Sequence, residues 1–133
     1  MKNVLCLLLL AATIGCSSGG APPQKELKYP QWEAMDKLSS DDVREIVIGA
    51  QEGNWQAVKK AVSSPEFKTA VDTFASTDVP EEFATDARKQ LKEEAVQKFR
   101  ALIEAASGSG SVQEKYEAAY ESLKAVRAPD PVE

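Results

Sequence analysis

The stretch PEEFATDARKQLKEEAVQKFRALIEAA, residues 80–106, decides the fold. Phe83, Ala87, Leu91, Ala95, Phe99, Leu102, Ile103 and Ala106 recur at three- and four-residue spacings, the period of one helix face. The remaining positions are mostly charged, with Glu93 and Gln97, and Glu94 and Lys98, one turn apart. Proline fits the first turn of a helix, where its missing N–H has no partner to lose. Pro80 is therefore expected to open this element after a loop at 76–79. At 1.5 Å per residue the stripe runs roughly 40 Å. An apolar stripe of that length needs other helices to cover it.

The flanking segments supply them. Toward the C-terminus, Ser107-Gly108-Ser109-Gly110 breaks the helix, and Ser111-Val112-Gln113-Glu114 has the form of a capping box. Val112, Tyr116, Ala119, Tyr120, Leu123 and Val126 make the next stripe, which Pro129 and Pro131 stop. Toward the N-terminus, Ser64-Pro65-Glu66 starts a helix with Phe67, Ala70, Val71 and Phe74 on one face. Val43, Ile46, Val47 and Ala50 precede it, then Trp55, Val58, Ala61 and Val62, with Gly53-Asn54 between. Either Gly53 ends one helix and Asn54 caps another, or one kinked helix runs through. Ser39 or Ser40 is expected to cap the earlier segment, with Asp41 and Asp42 at its positive end. Trp32, Met35 and Leu38 form a short stripe before it. No segment alternates with period two over strand length. The expected fold is all-α: a small antiparallel bundle of four-helix type, with its early helix kinked or split at Gly53-Asn54.

The first sixteen residues have a different character. Lys2 is followed by the unbroken apolar run Val4 to Leu10, then small residues, then Cys16. This is the layout of a secretory signal. Thr13-Ile14-Gly15-Cys16 resembles the lipobox of bacterial lipoprotein precursors, in which the cysteine is acylated, palmitate included, and becomes the new N-terminus. Gly15 fits the small residue before the cysteine; Thr13 replaces the usual leucine. Two other readings compete. A membrane-spanning anchor needs roughly 20 apolar residues, and Val4 to Gly15 supplies about half of that. Ordinary cleavage would leave Cys16 as an odd free thiol. The resemblance implies a signal peptide at 1–15, a lipidated Cys16 opening a flexible linker over 16–30, a helical domain over 31–128 and a tail over 129–133. Ser17, where aspartate would mark retention in the inner membrane, implies the outer membrane, facing the periplasm. The linker Ser17–Pro30 carries Ser17-Ser18-Gly19-Gly20 and Pro22-Pro23. Its 14 residues would reach at most roughly 45 Å.

Removal of residues 1–15 leaves 118 residues, one small domain. Basic residues fall from 16 to 15 while the 21 acidic ones remain, giving a formal charge of −6. That balance disfavours nucleic acid and electrostatic docking on anionic lipid, leaving the acyl chains as the main membrane contact. The chain has no histidine, which excludes imidazole triads and His/Cys metal sites. Once Cys6 leaves with the signal and Cys16 is blocked, no free thiol remains.

Ile46-Val47-Ile48-Gly49-Ala50-Gln51-Glu52-Gly53-Asn54-Trp55-Gln56-Ala57-Val58-Lys59-Lys60-Ala61, Val79-Pro80 before the long helix, and the helix Tyr116 to Arg127 together resemble the cytochrome c-prime type of four-helix bundle. The resemblance spans about residues 35–128. It implies a C-terminal haem-binding histidine, but that stretch reads Leu123-Lys124-Ala125-Val126-Arg127-Ala128-Pro129. Met35, at the place of an axial methionine, then reads as a core residue. No cofactor is expected.

Three clusters have a functional and a plain reading. Glu82 and Asp86, with Glu81, Glu93 and Glu94, have carboxylates for a hard cation, but a solvated helix face explains them better. Trp32, Trp55, Tyr116 and Tyr120 suit a small-molecule pocket, a partner-binding patch or core packing. Lys59-Lys60 reads as the wet side of a helix. With no catalytic motif, the sequence points to a non-catalytic, lipid-anchored interaction or structural bundle of the cell envelope, with an envelope protein as possible partner. A small-ligand or degenerate cytochrome-like binder is the alternative.

Overall fold

The computed structural model describes residues 27–39 and 43–131. Six helices form the body: α1 (Glu33–Asp36), α2 (Arg44–Gln51), α3 (Trp55–Val62), α4 (Pro65–Ser76), α5 (Asp86–Ser107) and α6 (Val112–Arg127). The protein is an all-α helical bundle. Its most extensive pairing is α5 on α6, followed by α2 on α3, and α5 also packs on α3 and α4.

The early helix is split. Gly53 sits at φ 68, a left-handed backbone that a Cβ would strain. Asn54 then opens α3, its side chain accepting from the Ala57 N–H. Gly49 lets the two halves close on each other, because a Cβ there would meet Val58 Cγ2 at 3.0 Å. Ser64 caps α4 by accepting from the Phe67 N–H, with Pro65 in the first turn. Ser111 caps α6 by accepting from the Glu114 N–H. Ser39 does not cap α2, which starts behind Val43 with no side-chain cap, and its hydroxyl donates instead to the Asp36 carbonyl. Ser40 and the Asp41-Asp42 pair lie outside the described residues, as does Cys16.

Pro80 does not open the long helix. It precedes a 3-10 turn, Glu81–Phe83, and α5 starts only at Asp86. Thr85 wins the cap position by accepting from the Arg88 N–H, and the turn drops Phe83 into the core at 3% exposure. The start of the α5 stripe shifts as a result: Ala87 is exposed and Arg88 is buried. Farther along, Ala95, Phe99, Leu102 and Ala106 are buried as the spacing predicts.

The centre is filled by side chains. Phe67, Phe74, Phe99, Met35, Leu38, Ile46 and Leu102 are all less than 2% exposed. Met35 is therefore a core residue. Burying side chains of this size contributes about 1.5–3 kcal/mol each.

One short strand pair closes the body. β1 (Leu27–Lys28) runs antiparallel to β2 (Asp130–Pro131), pairing Leu27 with Pro131 and Lys28 with Asp130. The end of the expected linker thus meets the start of the expected tail, and Pro30 is buried. Arg88 is the fastener. Its guanidinium donates to both Asp130 carboxylate oxygens, at 2.7 and 2.9 Å, and to the Ala128 carbonyl at 2.6 Å. Phe83 lies between two cations, with Arg88 Cζ 5.4 Å and Lys28 Nζ 5.6 Å from its ring centre. Lys28 also pairs with Glu82.

Candidate functional site

On α6, Tyr116 and Tyr120 stand one turn apart, so their rings meet, 4.5 Å between centres and tilted by 34°. Neither ring is wholly in the core. Trp55 packs edge-on against Tyr116 at 5.8 Å, and Phe99 against Tyr120 at 5.3 Å. Phe99 continues to Phe67 at 6.1 Å. An aromatic chain thus runs from the centre of the bundle to its surface. The Tyr120 hydroxyl donates to the Leu38 carbonyl at 3.1 Å, tying α6 to the segment after α1.

The two tyrosines line a cleft of about 370 Å³ with Val47, Leu123, Ser39, Glu117, Glu121, Lys124 and Arg127. Its floor is apolar and its rim charged. On the rim, Lys124 pairs with Glu121 at 2.6 Å. Arg127 bridges to Asp36 at 3.1 Å and to Ser39 Oγ at 3.0 Å. Glu117 accepts from Gln113 at 3.0 Å. Lys124 with Glu121, and Arg127 with Asp36, offset each other, so the rim carries no strong field of one sign, while the buried Arg127 Nε is left without a hydrogen-bond partner.

The titration of the floor follows from burial. Loss of solvent around Tyr120, reinforced by the neighbouring Tyr116, pushes its phenol far above the ordinary tyrosine value. Burial also raises Tyr116, partly offset by the Lys124 charge. The hydrogen bond that Lys124 donates to Glu121, and then the carboxylate's charge, raises Lys124. Near neutrality both phenols therefore keep their protons and the ammonium stays charged. Such a surface stacks and hydrogen-bonds; it offers no poised base.

The other expected clusters separate. Trp32, 4% exposed, packs on Phe74 at 5.0 Å and contributes nothing to the cleft. Glu82 lies in the 3-10 turn, paired with Lys28, and Asp86 opens α5, 4.0 Å from Lys89. The two do not share a helix face, which corrects that expectation. Among the described residues no cluster of three carboxylate, thiol or imidazole groups could hold a metal ion. No described helix is long and apolar enough to cross a membrane. Lys59 is half-buried and donates to the Gly108 carbonyl at 3.3 Å, while Lys60 is exposed.

A larger cleft of about 660 Å³ lies between the end of α4 and the start of α5, lined by Lys89, Lys92 and Arg100 and by Asp78, Glu81 and Glu93. Lys92 is committed there to structure. It donates to the Ala75 and Thr77 carbonyls at 2.9 and 2.6 Å, satisfying the end of α4, and sits 5.8 Å from the Trp32 ring centre. Mixed charges and a committed lysine make this cleft a poorer site than the aromatic one. Sequence reading missed both Lys92 and Arg88, whose partners are distant in the chain and leave no local signal.

Comparison with protein-family models, with curated proteins and with solved structures returned no match.

Proposed function

We propose that this chain is a lipoprotein of the cell envelope, held in the outer membrane by acyl groups on Cys16, whose helical domain binds another envelope protein and catalyses nothing. The observation that carries the reading is the run Lys2, Val4–Leu10 and Thr13-Ile14-Gly15-Cys16. The cleft of Val47, Tyr116, Tyr120 and Leu123 supports the second half, because stacked tyrosines within a charged rim are typical anchors at protein interfaces. Replacing Cys16 with alanine tests the anchor. The variant should leave the membrane fraction; full retention there overturns the reading. A pull-down from detergent-solubilised envelope tests the partner. A captured protein should be lost in Tyr116→Ser, and capture unaffected by that change removes the cleft from consideration.

One observation favours a runner-up. The cleft volume of about 370 Å³ falls within the range of small-ligand sites. A degenerate cytochrome-like bundle without a haem-ligating histidine would bind its ligand by stacking alone. Titration with haem, followed by visible absorbance and tyrosine fluorescence, decides it; featureless spectra dismiss this alternative.

A further inference from the structure

We infer that Leu27 and Tyr29 form a bilayer-docking point that fixes which end of the bundle faces the membrane. The inference rests on the anchor reading above. Both side chains are 53% exposed, more than any other large apolar residue described. Alternate residues of an extended chain share a face. Lys28 lies over the Phe83 ring and pairs with Glu82 while staying open to solvent, and Leu27 and Tyr29, which flank it, take the other side of the extended chain.

Their mount is firm. β1 is paired to β2, Asp130 of β2 is held by the buried Arg88, and the chain after Tyr29 goes straight into the core through Pro30 and Trp32. The two ion pairs beside the patch, Lys28–Glu82 and Arg88–Asp130, cancel their own charges. The patch can therefore approach lipid through apolar contact without a net repulsion from them.

The chain before Leu27 identifies the occupant. Ten residues, 17–26, separate Cys16 from Leu27, a reach of at most roughly 40 Å. An acylated Cys16 keeps a bilayer within that distance of this end of the domain. Held so close, even a small contact is populated, because the tether sets a high effective concentration. Tyrosine, with an apolar ring and a polar tip, suits the headgroup boundary. A second copy of the chain is a poorer fit. Two half-exposed side chains offer on the order of 200 Å², against the roughly 1,200–2,000 Å² of a stable protein interface.

The test uses the acylated full chain, in which an introduced cysteine is the only free thiol. Gln31→Cys, exposed and two residues past Tyr29, and Ser109→Cys, exposed beyond the far end of α5, each carry an environment-sensitive dye. The 22 residues of α5 place these ends about 33 Å apart. The protein is reconstituted on vesicles of phosphatidylethanolamine and phosphatidylglycerol containing a headgroup-depth spin quencher. The dye at position 31 should be quenched and the dye at 109 should not. Adding Leu27→Ser and Tyr29→Ser should reduce quenching at 31 to the level seen at 109, with vesicle flotation and helical circular dichroism unchanged. Equal quenching at both positions, or quenching at 31 that survives the double change, overturns the docking point while leaving the anchor intact. A blue-shifted dye without lipid quenching means that protein covers the patch, and also overturns it. Failure to float overturns the anchor reading, and the docking point with it.

Discussion

Arg88 and Asp130 make an unequal pair, and the inequality predicts an order of mutational cost. Arg88 is buried to 5% exposure, whereas the Asp130 side chain is 43% exposed. Asp130→Ala strips the guanidinium of two charge-assisted hydrogen bonds and leaves it in the interior with the Ala128 carbonyl as its remaining hydrogen-bond partner. Breaking a fully buried pair costs about 3–5 kcal/mol. Water reaches the Asp130 side, so the expected loss is smaller, about 2–3 kcal/mol. Arg88→Met keeps an unbranched side chain against Phe83 and abandons only groups that water can reach. Its expected cost is about 1–2 kcal/mol. The double variant Arg88→Met/Asp130→Ala should then be more stable than Asp130→Ala alone, because the stranded charge is gone. Urea unfolding at neutral pH, followed by tryptophan fluorescence, measures all three against the parent. Equal costs for the two single changes, or a double variant weaker than Asp130→Ala, would refute the reasoning that burial of the cation sets the price.

Three further outcomes follow from other parts of the fold. Phe99→Ala empties the centre of the aromatic chain between Phe67 and Tyr120; a loss of about 3–5 kcal/mol is expected in the same unfolding assay. Lys92→Met leaves the Ala75 and Thr77 carbonyls at the end of α4 without their donor, and should cost about 1–3 kcal/mol, with amide exchange rising first in the last turn of α4. The tyrosines predict alkaline behaviour. Their folded-state pKa values lie above the ordinary 10.0, so the native state holds these protons more tightly than the unfolded chain. The resulting stability is present in full below pH 10 and is lost as pH rises past it. Absorbance titration at alkaline pH should show Tyr120 ionising only with unfolding, and Tyr120→Phe should weaken the alkaline loss of stability.

The helices were legible because each buries one face, and burial imposes a three- to four-residue spacing on the sequence. The caps at Asn54, Ser64 and Ser111 were legible because a cap is made within four residues. The start of α5 was not. Pro80 and Thr85 are both valid local starts, and the choice between them was made by the burial of Phe83, a tertiary event. Arg88 at a core position was hidden for a similar reason: Asp130, 42 residues away, makes its burial tolerable. The aromatic cleft was half legible. The spacing of Tyr116 and Tyr120 fitted either core or surface, and the structure uses both, because one edge of the pair packs on Trp55 and Phe99 while the pair also lines the cleft.

The strand pair also constrains the order of assembly. Its two halves lie at opposite ends of the described chain, so joining them closes a loop of roughly a hundred residues, an entropic cost that neighbouring helices avoid. During synthesis the N-terminal half emerges first, and β1 has no partner until Asp130 arrives. Helices α2 to α6 contact mostly their neighbours in sequence and can pack beforehand, with the Arg88 charge still hydrated. Closure is then a late locking step, and opening it is the cheapest partial unfolding. In native-state hydrogen exchange, the amide of Lys28 should lose protection at lower denaturant than those of Phe99 and Leu102.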